Sequence, residues 1–177
     1  NQKWQDFQVI HHEVLAAQRA RYGRLKRPLP DPLTRLLQHM GIPKIYSHQA
    51  SGIETIRTGK HVVVATPTSS GKSLVYNLAV TEALLADPGL HALYLFPIKA
   101  LTRDQLDTLT ALFAGLESPV VLRSGVYDGD TPPYQRSKIR QNPPHILLTN
   151  PDMLHYALLP YHAKWESFWK RLRFVVI

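Results

Sequence analysis

Residues 61–73 read HVVVATPTSSGKS and join three consecutive valines to a polar loop. Because β-branched residues favour strands, we predict a strand over His61–Ala65. From Lys72 onward the pattern becomes helical, and we predict a helix over Lys72–Ala86. A strand, a short loop ending in Gly-Lys-Ser and a helix, in this order, are the context that a phosphate-binding loop requires.

The loop Thr66–Ser73 has the chemistry to hold a polyphosphate. Backbone N–H groups and the helix dipole would bind phosphate oxygens, Lys72 would reach the β- and γ-phosphates, and the Ser73 hydroxyl would bind Mg²⁺. The strict pattern has glycine where this chain has Thr66. An ordinary helix start is the alternative, but a lysine in the first helical turn opposes the dipole. The residues expected at the phosphates are Thr68, Ser69, Ser70, Gly71, Lys72 and Ser73.

Outward from this loop, short apolar runs alternate with longer helical patterns. Nearly continuous apolar runs indicate burial on both faces, as in a parallel sheet, and the alternation predicts a doubly wound α/β fold. We expect the last strand to lie inside the sheet, beside the strand that precedes the phosphate loop. Further strands are predicted over His91–Phe96, Val120–Arg123, His145–Thr149 and Arg173–Ile177. Further helices are predicted over Lys99–Gly115, Pro133–Gln141 and Pro151–Arg171, the last broken at Pro160.

Polar or turn-forming segments follow four of the predicted strands. Ligands of open parallel sheets bind at the carboxyl ends of the strands. We therefore expect these segments to lie along one edge of the sheet, beside the phosphate loop. They are Thr66–Ser73, Pro97–Lys99, Ser124–Pro132 and Thr149–Asp152.

Residues 1–58 are predicted to form a helical extension ahead of the α/β domain, which covers residues 59–177. Within the extension, apolar residues recur at three- and four-residue steps over 4–22, which predicts a helix. The arginines and the lysine over 19–27 are interpreted as a solvated helix end and loop.

Two shorter helices are predicted later in the extension. The first is expected over Pro32–Met40, with Asp31 as its N-cap and Gly41 as its stop. The second is expected to begin near Ser47 and to end before Gly59.

Composition narrows the class of protein. The chain has 177 residues, with 21 lysines and arginines against 13 aspartates and glutamates, a formal net charge of +8 that suits a polyanionic partner. The absence of cysteine excludes a disulfide, a thiolate zinc site and a cysteine nucleophile within this chain. No apolar run approaches the roughly 18–20 residues of a membrane span, so we expect a cytoplasmic protein with no membrane partner. The nine histidines show no zinc-like spacing, and we interpret them as non-metal residues.

Four motifs in chain order resemble those of superfamily-two helicases with a DEAD/DEAH box. The resemblance implies the first RecA-like motor domain, with ATP and Mg²⁺ as ligands and with Tyr46 and Gln49 at the adenine. A side-chain amide carries a donor and an acceptor side by side, which match the N6/N7 edge of adenine. The motifs are the Q motif (Tyr46–Gln49), motif I (Ala65–Ser73), motif Ia (Pro97–Leu101) and motif Ib (Thr149–Asp152).

Further stretches are similar to the MrfA/YprA-type DNA-repair helicases, which are similar to the RecQ-related helicases of fungi. This resemblance implies an ATP-driven motor that moves 3′ to 5′ on single-stranded DNA, unwinds duplex DNA and associates with the nucleoid during repair of bulky or crosslinked damage. The stretches are Leu95–Leu101, Tyr127–Pro132, Thr149–His155 and Trp165–Ile177.

The same resemblance implies which residues meet the DNA, through contacts that are salt-sensitive and independent of base sequence. Other interpretations stay open, since Asn150 before Pro151 is also a good helix cap and Lys99 could be solvated. Ile98 replaces the usual threonine of motif Ia, and it leaves only a backbone contact there. The implied DNA-side residues are Lys99, Ala100, Gly129, Thr149, Asn150 and Asp152.

In the family, the acidic motif II and a second motor domain follow the segment that ends here at Ile177. We therefore expect this chain alone to bind nucleotide weakly at most and not to hydrolyse it, because hydrolysis needs those charges. Two other functions stay open: a P-loop ATPase or kinase of another class, and a non-catalytic nucleic-acid-binding module. The residues alone do not distinguish DNA from RNA.

Overall fold

The computed structural model describes residues 11–14 and 19–177. Three helices come first, and strands and helical segments alternate after them. The helices are α1 (Asp31–His39), α2 (Ser47–Arg57), α3 (Lys72–Ala86), α4 (Lys99–Ala114), α5 (Pro133–Gln141), α6 (Pro151–Met153) and α7 (Glu166–Lys170). The strands are β1 (His91–Leu95), β2 (Ser124–Val126), β3 (Ile146–Thr149) and β4 (Leu172–Val176).

The four strands form one sheet in the order β2-β3-β1-β4, and all neighbours are parallel. Leu93 of β1 lies opposite Leu147 of β3 on one side and Val175 of β4 on the other. Parallel neighbours need a crossover connection, which α4, α5 and the segment from α6 to α7 supply. The predicted α/β fold, with a parallel sheet flanked by helices, is confirmed.

Both faces of β1 are buried, which explains its uninterrupted apolar sequence. On one face, Ala92 and Tyr94 pack in a cluster with Leu109 of α4. On the other face, Leu93 packs in a cluster with Trp165 from the segment before α7. The sheet is therefore covered on both sides at β1 and β3, whereas Arg173 and Val175 of β4 are exposed.

The helices α1, α2 and α3 share a separate core. Leu33, Ile53 and Leu78 lie at its centre and are fully buried. Beside it, Arg57 of α2 donates to both carboxylate oxygens of Glu82 of α3, at 2.9 and 2.8 Å. This packing holds α2 against α3, the helix that begins at the phosphate loop.

The predicted strand over His61–Ala65 is wrong: within the described part of the chain, these residues belong to no strand. Val63 is 93% exposed and Val62 is also exposed. A β-branched run becomes a strand only when a neighbour pairs with its backbone and covers its side chains. The last strand, β4, is therefore an edge strand paired with β1, and not an inner strand beside this segment.

The predicted strand over Val120–Arg123 is also wrong, because the chain pairs with β3 only from Ser124 onward, as β2. Val121 is exposed instead. Pairing with β3 decides the position of this strand, although Ser124 and Gly125 have low strand propensity.

The predicted helix over Pro151–Arg171 is divided. After α6 come a π-helical turn over Leu154–Leu158 and a 3₁₀ turn over His162–Trp165, and then α7. The predicted break at Pro160 is confirmed, since proline has no N–H to continue the helical ladder.

The helix predicted over 4–22 is absent from the described residues 11–14 and 19–22; the rest of that range lies outside them. Tyr22 instead forms an antiparallel bridge with Tyr46, beside a hydrogen bond from Ser47 N to Arg21 O at 2.8 Å. The two shorter helices are confirmed as α1 and α2, with Pro30 rather than Asp31 at the N-cap of α1. Among the described residues, no helix has the length and apolar character that a membrane crossing requires.

Candidate functional site

The loop before α3 turns through two residues with positive φ. Gly71, the N-cap of α3, has a φ of +74°, and Ser69 has a φ of +60°. A Cβ atom on Gly71 would lie 2.6 Å from Nε2 of Gln49, so both the backbone and the available space require glycine. Ser69 takes a left-handed conformation where motif I usually has glycine, which is unfavourable for a residue with a side chain.

Carbonyl oxygens of the same loop bind the ammonium group of Lys72. Its Nζ donates to Thr66 O at 2.8 Å and to Pro67 O at 2.7 Å. The Thr66 and Ser70 hydroxyls hydrogen-bond to each other at 2.6 Å, which closes the loop around the lysine. Phosphate oxygens are charged acceptors and bind an ammonium group more strongly than carbonyl oxygens do. The phosphate oxygens of a bound nucleotide can therefore replace the loop carbonyls as hydrogen-bond acceptors of Lys72.

The N-terminus of α2 holds the loop from the other side. Gln49 is buried, and its Nε2 donates to Gly71 O at 3.0 Å while its Oε1 accepts from Tyr46 N at 2.8 Å. His48 Nε2 lies 3.1 Å from Ser70 O. The residue predicted to read adenine is thus a direct link between the start of α2 and the phosphate loop.

Flat aromatic rings stand beside this link. The rings of Tyr22 and Tyr46 stack with centroids 5.5 Å apart, and Tyr46 stacks on His48 at 5.8 Å. A cavity of about 670 Å³ opens between these rings, the loop and α3, within the range of small-molecule sites. Its walls include Tyr22, Tyr46, Gln49, Gly71, Ser73 and Asn77.

Tyr22 and His48 also belong to this site, although their sequence positions did not predict it. Tyr22 was assigned to a helix end, and only the bridge between Tyr22 and Tyr46 brings it to the cavity. His48 lies inside the Q-like segment, and its place next to Gln49 at a helix start was the available signal.

A second group of residues lies at the carboxyl ends of β1, β2 and β3. Lys99 at the start of α4 is exposed, and its Nζ lies 2.8 Å from Oδ1 of Asp130. Ala100 and Gly129 are exposed as well, and a Cβ atom on Gly129 would meet nothing within 4 Å. Asp152 of α6 is also exposed. These four predicted DNA-side residues are thus open to a ligand.

The side chains of two other predicted DNA-side residues form hydrogen bonds with the protein backbone. Thr149 is fully buried, and its hydroxyl donates to Tyr127 O at 2.6 Å. Asn150 Oδ1 accepts from Met153 N at 2.8 Å, so Asn150 caps α6, as its capping interpretation predicted. A side-chain contact of either residue with DNA would require an exchange of these bonds. Their carbonyl oxygens are bonded as well, since Thr149 O accepts from Phe96 N and Asn150 O from Leu154 N, each at 3.0 Å.

The turn after β2 is more ordered than its sequence indicated. Asp128 is buried, and its Oδ1 accepts from Asp130 N, Thr131 N and Thr131 Oγ1 at 2.9 to 3.0 Å. Arg136 of α5 donates to Asp128 O at 2.8 Å and to Gly129 O at 3.0 Å. This turn therefore has a fixed shape, and the sequence analysis missed Asp130 and Arg136 in it.

The described residues contain no group of three or more histidines, aspartates or glutamates close enough to hold a metal ion. Ser73, the predicted Mg²⁺ ligand, lies at the start of α3 and lines the cavity. A single hydroxyl suits Mg²⁺, which keeps several waters and takes further oxygens from the phosphates of its substrate.

The parallel sheet and the loop Thr66–Ser73 are typical of one class, the P-loop motor domains of the RecA-like type, although no strand of the described residues precedes the loop. The phosphate loop opens the helix packed beside the sheet, and the other loops of the predicted site follow the carboxyl ends of parallel strands.

Comparison with known proteins then identifies the family. The family model for DEAD/DEAH box helicases matches residues 46–177, well over half of the chain. The chain belongs to the DEAD/DEAH box helicase family. This membership decides against a P-loop ATPase or kinase of another class.

Similar proteins include the uncharacterized ATP-dependent helicase YprA of Bacillus subtilis, 43% identical over 85% of this chain and 20% of that protein. The ATP-dependent helicase HRQ1 of Saccharomyces cerevisiae is 37% identical over 96% of this chain and 15% of that protein. A crystal structure of the DUF1998 helicase MrfA bound to DNA and AMPPNP superposes with a TM-score of 0.84 at 39% identity, over 89% of this chain and 22% of that one. The chain thus spans about a fifth of the length of these relatives.

Proposed function

We propose that this chain is the ATP-binding first motor domain of a helicase that moves 3′ to 5′ on single-stranded DNA and unwinds duplex DNA in repair. The observation that carries the proposal is the phosphate loop, which holds Lys72 and is linked through Gln49 to a nucleotide-sized cavity. The similar helicase MrfA was crystallised with DNA and AMPPNP, which supports DNA and ATP as ligands. We propose a cytoplasmic location, at the nucleoid during repair.

The nucleotide is proposed to lie in the cavity beside α2 and α3. Gln49 would bind the adenine edge, with Tyr46 beside the base. Lys72 would bind the β- and γ-phosphates, and Ser73 would hold Mg²⁺, which neutralises charge on the phosphates when bound. The remaining N–H donors would come from the loop residues Thr68, Ser69, Ser70 and Gly71.

DNA is proposed to run along the carboxyl edge of the sheet. Lys99 would pair with a phosphate, and backbone groups at Ala100 and Gly129 would bind the sugar-phosphate chain. Thr149 is fully buried and would support this edge from the end of β3. We call the exposed residues of this edge, Lys99, Ala100, Gly129 and Asp152, the DNA strip; Asn150 is half-buried. Because these contacts ignore base identity, binding would depend on salt and not on base sequence.

Strand displacement by the full-length protein tests the proposal. The substrates are two labelled partial duplexes that differ only in whether the single-stranded tail ends 3′ or 5′. We expect ATP-dependent release of the labelled strand from the 3′-tailed duplex, and no release by the Lys72→Ala variant.

Three results would contradict parts of the proposal. Release from the 5′-tailed duplex alone would reverse the polarity. Release from RNA duplexes but not DNA duplexes would replace the substrate. Binding of DNA that is indifferent to ATP, without unwinding, would favour the non-catalytic nucleic-acid-binding module.

A further inference from the structure

An acidic side chain occupies the proposed DNA strip. Oδ1 of Asp130 lies 2.8 Å from Nζ of Lys99, and the two side chains are 56% and 53% exposed. Lys99 is the residue of motif Ia expected to pair with a phosphate. The ammonium group of Lys99 is therefore already paired with a carboxylate, which lies in the turn after β2.

The chain holds this acid in place. The backbone N–H of Asp130 donates to Oδ1 of buried Asp128, and Thr131 donates to the same oxygen twice. Arg136 binds the carbonyl oxygens of Asp128 and Gly129 from below the turn. An exposed ion pair usually loses most of its attraction to side-chain disorder, but here the acid sits on a rigid turn.

The surroundings of Asp130 favour its charged form. Its hydrogen bond to Lys99, the charge of Lys99 and the charge of Arg103 on α4 lower the pKa of this carboxyl. The carboxylate therefore remains an anion at neutral pH and competes with any phosphate that approaches Lys99.

We propose that Asp130 sets the affinity for DNA by pairing with Lys99 until a backbone phosphate displaces its carboxylate. This inference rests on the proposed DNA strip. In the free protein the Lys99–Asp130 pair adds almost no net charge to the strip. On DNA, the phosphate takes the place of the carboxylate, so each encounter must first break the pair. Asp130 would thus lower the affinity of Lys99 for phosphate and make it easier for motif Ia to release the DNA.

The test is equilibrium binding of fluorescein-labelled oligothymidylate to the full-length protein, measured by anisotropy between about 50 and 200 mM salt. We expect Asp130→Asn to tighten binding about two- to fivefold at the lowest salt, the range set by an exposed ion pair. The slope of log affinity against log salt should steepen only slightly, because Lys99 neutralises the same phosphate in both proteins and salt weakens only the exposed pair that the unsubstituted protein must break.

The matched control is Glu166→Gln. Glu166 pairs with Lys170 at 2.7 Å, is similarly exposed, and lies on α7, at the amino end of β4 and away from the strip. Like Asp130→Asn, this variant raises the net charge of the protein by one. It should change neither the affinity for the oligonucleotide nor the slope of log affinity against log salt. In the Lys99→Gln background, Asp130→Asn should have no effect beyond that of Glu166→Gln.

The outcomes separate the two proposals. If the unsubstituted protein does not bind the oligonucleotide, both the DNA strip and the role of Asp130 fail. If it binds, and Asp130→Asn matches Glu166→Gln, the inference fails while the DNA strip stands. Weaker binding by Asp130→Asn would mean that the carboxylate orients Lys99 and does not compete with DNA, which also overturns the inference.

Discussion

Gln49 joins the cavity proposed for the nucleotide to the loop Thr66–Ser73 through one side chain. Its amide nitrogen and oxygen are bonded to Gly71 O and Tyr46 N. Each of these atoms has a second hydrogen or a second lone pair, so the amide can bind the loop and the adenine edge together. Binding of the base would then stiffen the loop that holds the phosphates.

The Gln49→Glu substitution keeps the hydrogen bond to Tyr46 N and removes the one to Gly71 O. The acceptor for Tyr46 N is kept, but an oxygen replaces the donor that faces Gly71 O, which leaves a half-buried carbonyl without its partner. We expect the free energy of unfolding to fall by about 1–3 kcal/mol and ATP affinity to fall about tenfold. Urea unfolding and titration with a fluorescent ATP analogue measure the two effects.

Gln38→Glu on the exposed face of α1 makes the same chemical change without a buried partner and serves as the control. It should change neither quantity appreciably. ATP affinity that is equal in the Gln49 and Gln38 variants would contradict the link between base and loop.

Gly71 offers a second prediction at the residue scale, because Gly59 matches its backbone. The φ angles are +74° and +76°, so alanine at either position costs roughly 1–2 kcal/mol of stability. Only at Gly71 would the new Cβ lie 2.6 Å from Gln49 Nε2; at Gly59 the nearest atom is 4.0 Å away, on Arg173. We expect Gly71→Ala to lose nucleotide binding and Gly59→Ala to keep it. Retained nucleotide affinity in Gly71→Ala would show that the close contact is not needed.

At the scale of elements, the amino ends of β1 and β3 carry adjacent histidines, opposite the proposed site. His145 Nδ1 accepts from Arg123 N at 3.0 Å, and His91 Nδ1 lies 3.0 Å from Pro144 O. Burial lowers the pKa of both rings, and the charge of Arg123 lowers both further, as does Arg171 for His91. The folded chain therefore holds both rings neutral.

The consequence is a loss of stability in acid. An unfolded histidine takes up a proton near pH 6.5, but the folded rings resist it until a lower pH. The stabilisation is therefore fully present above about pH 6.5 and is lost as the pH falls from there toward the lowered folded pKa values. Urea midpoints at about pH 7.5 and 5.5 should show this fall, and it should be smaller in His145→Gln. A pH dependence unchanged by that substitution would contradict the assignment.

The elements also show where sequence patterns succeed. The bounds of α3 and α5 agree with the prediction to the residue, because Gly71 precedes the first helix and Pro133 opens the second. The strand predicted over His61–Ala65 failed since its valines meet no neighbouring strand. Strand position depends on distant partners, and β2 lies where β3 pairs with it, at Ser124 and not at the valines before it.

At the scale of the whole molecule, local motifs located the turn of Gly71 and the start of α3, but not the contacts that join this loop to the cavity. Gly71 and Lys72 are recognisable from their neighbours in sequence. Tyr22 reaches the cavity through a bridge to a residue 24 positions away, and Asp130 reaches Lys99 across 31 positions. Contacts of this kind follow from how α2, β2 and α4 pack, which no local pattern encodes.

The central claim is that Lys72 and its loop belong to a DNA-dependent motor. ATP turnover by the full-length protein, with and without single-stranded DNA, tests it most directly, beside the Lys72→Ala variant. We expect turnover that requires DNA and falls by at least about a hundredfold in the variant, as for loss of a group that stabilises the transition state. Turnover that ignores DNA, or that survives Lys72→Ala, would contradict the assignment.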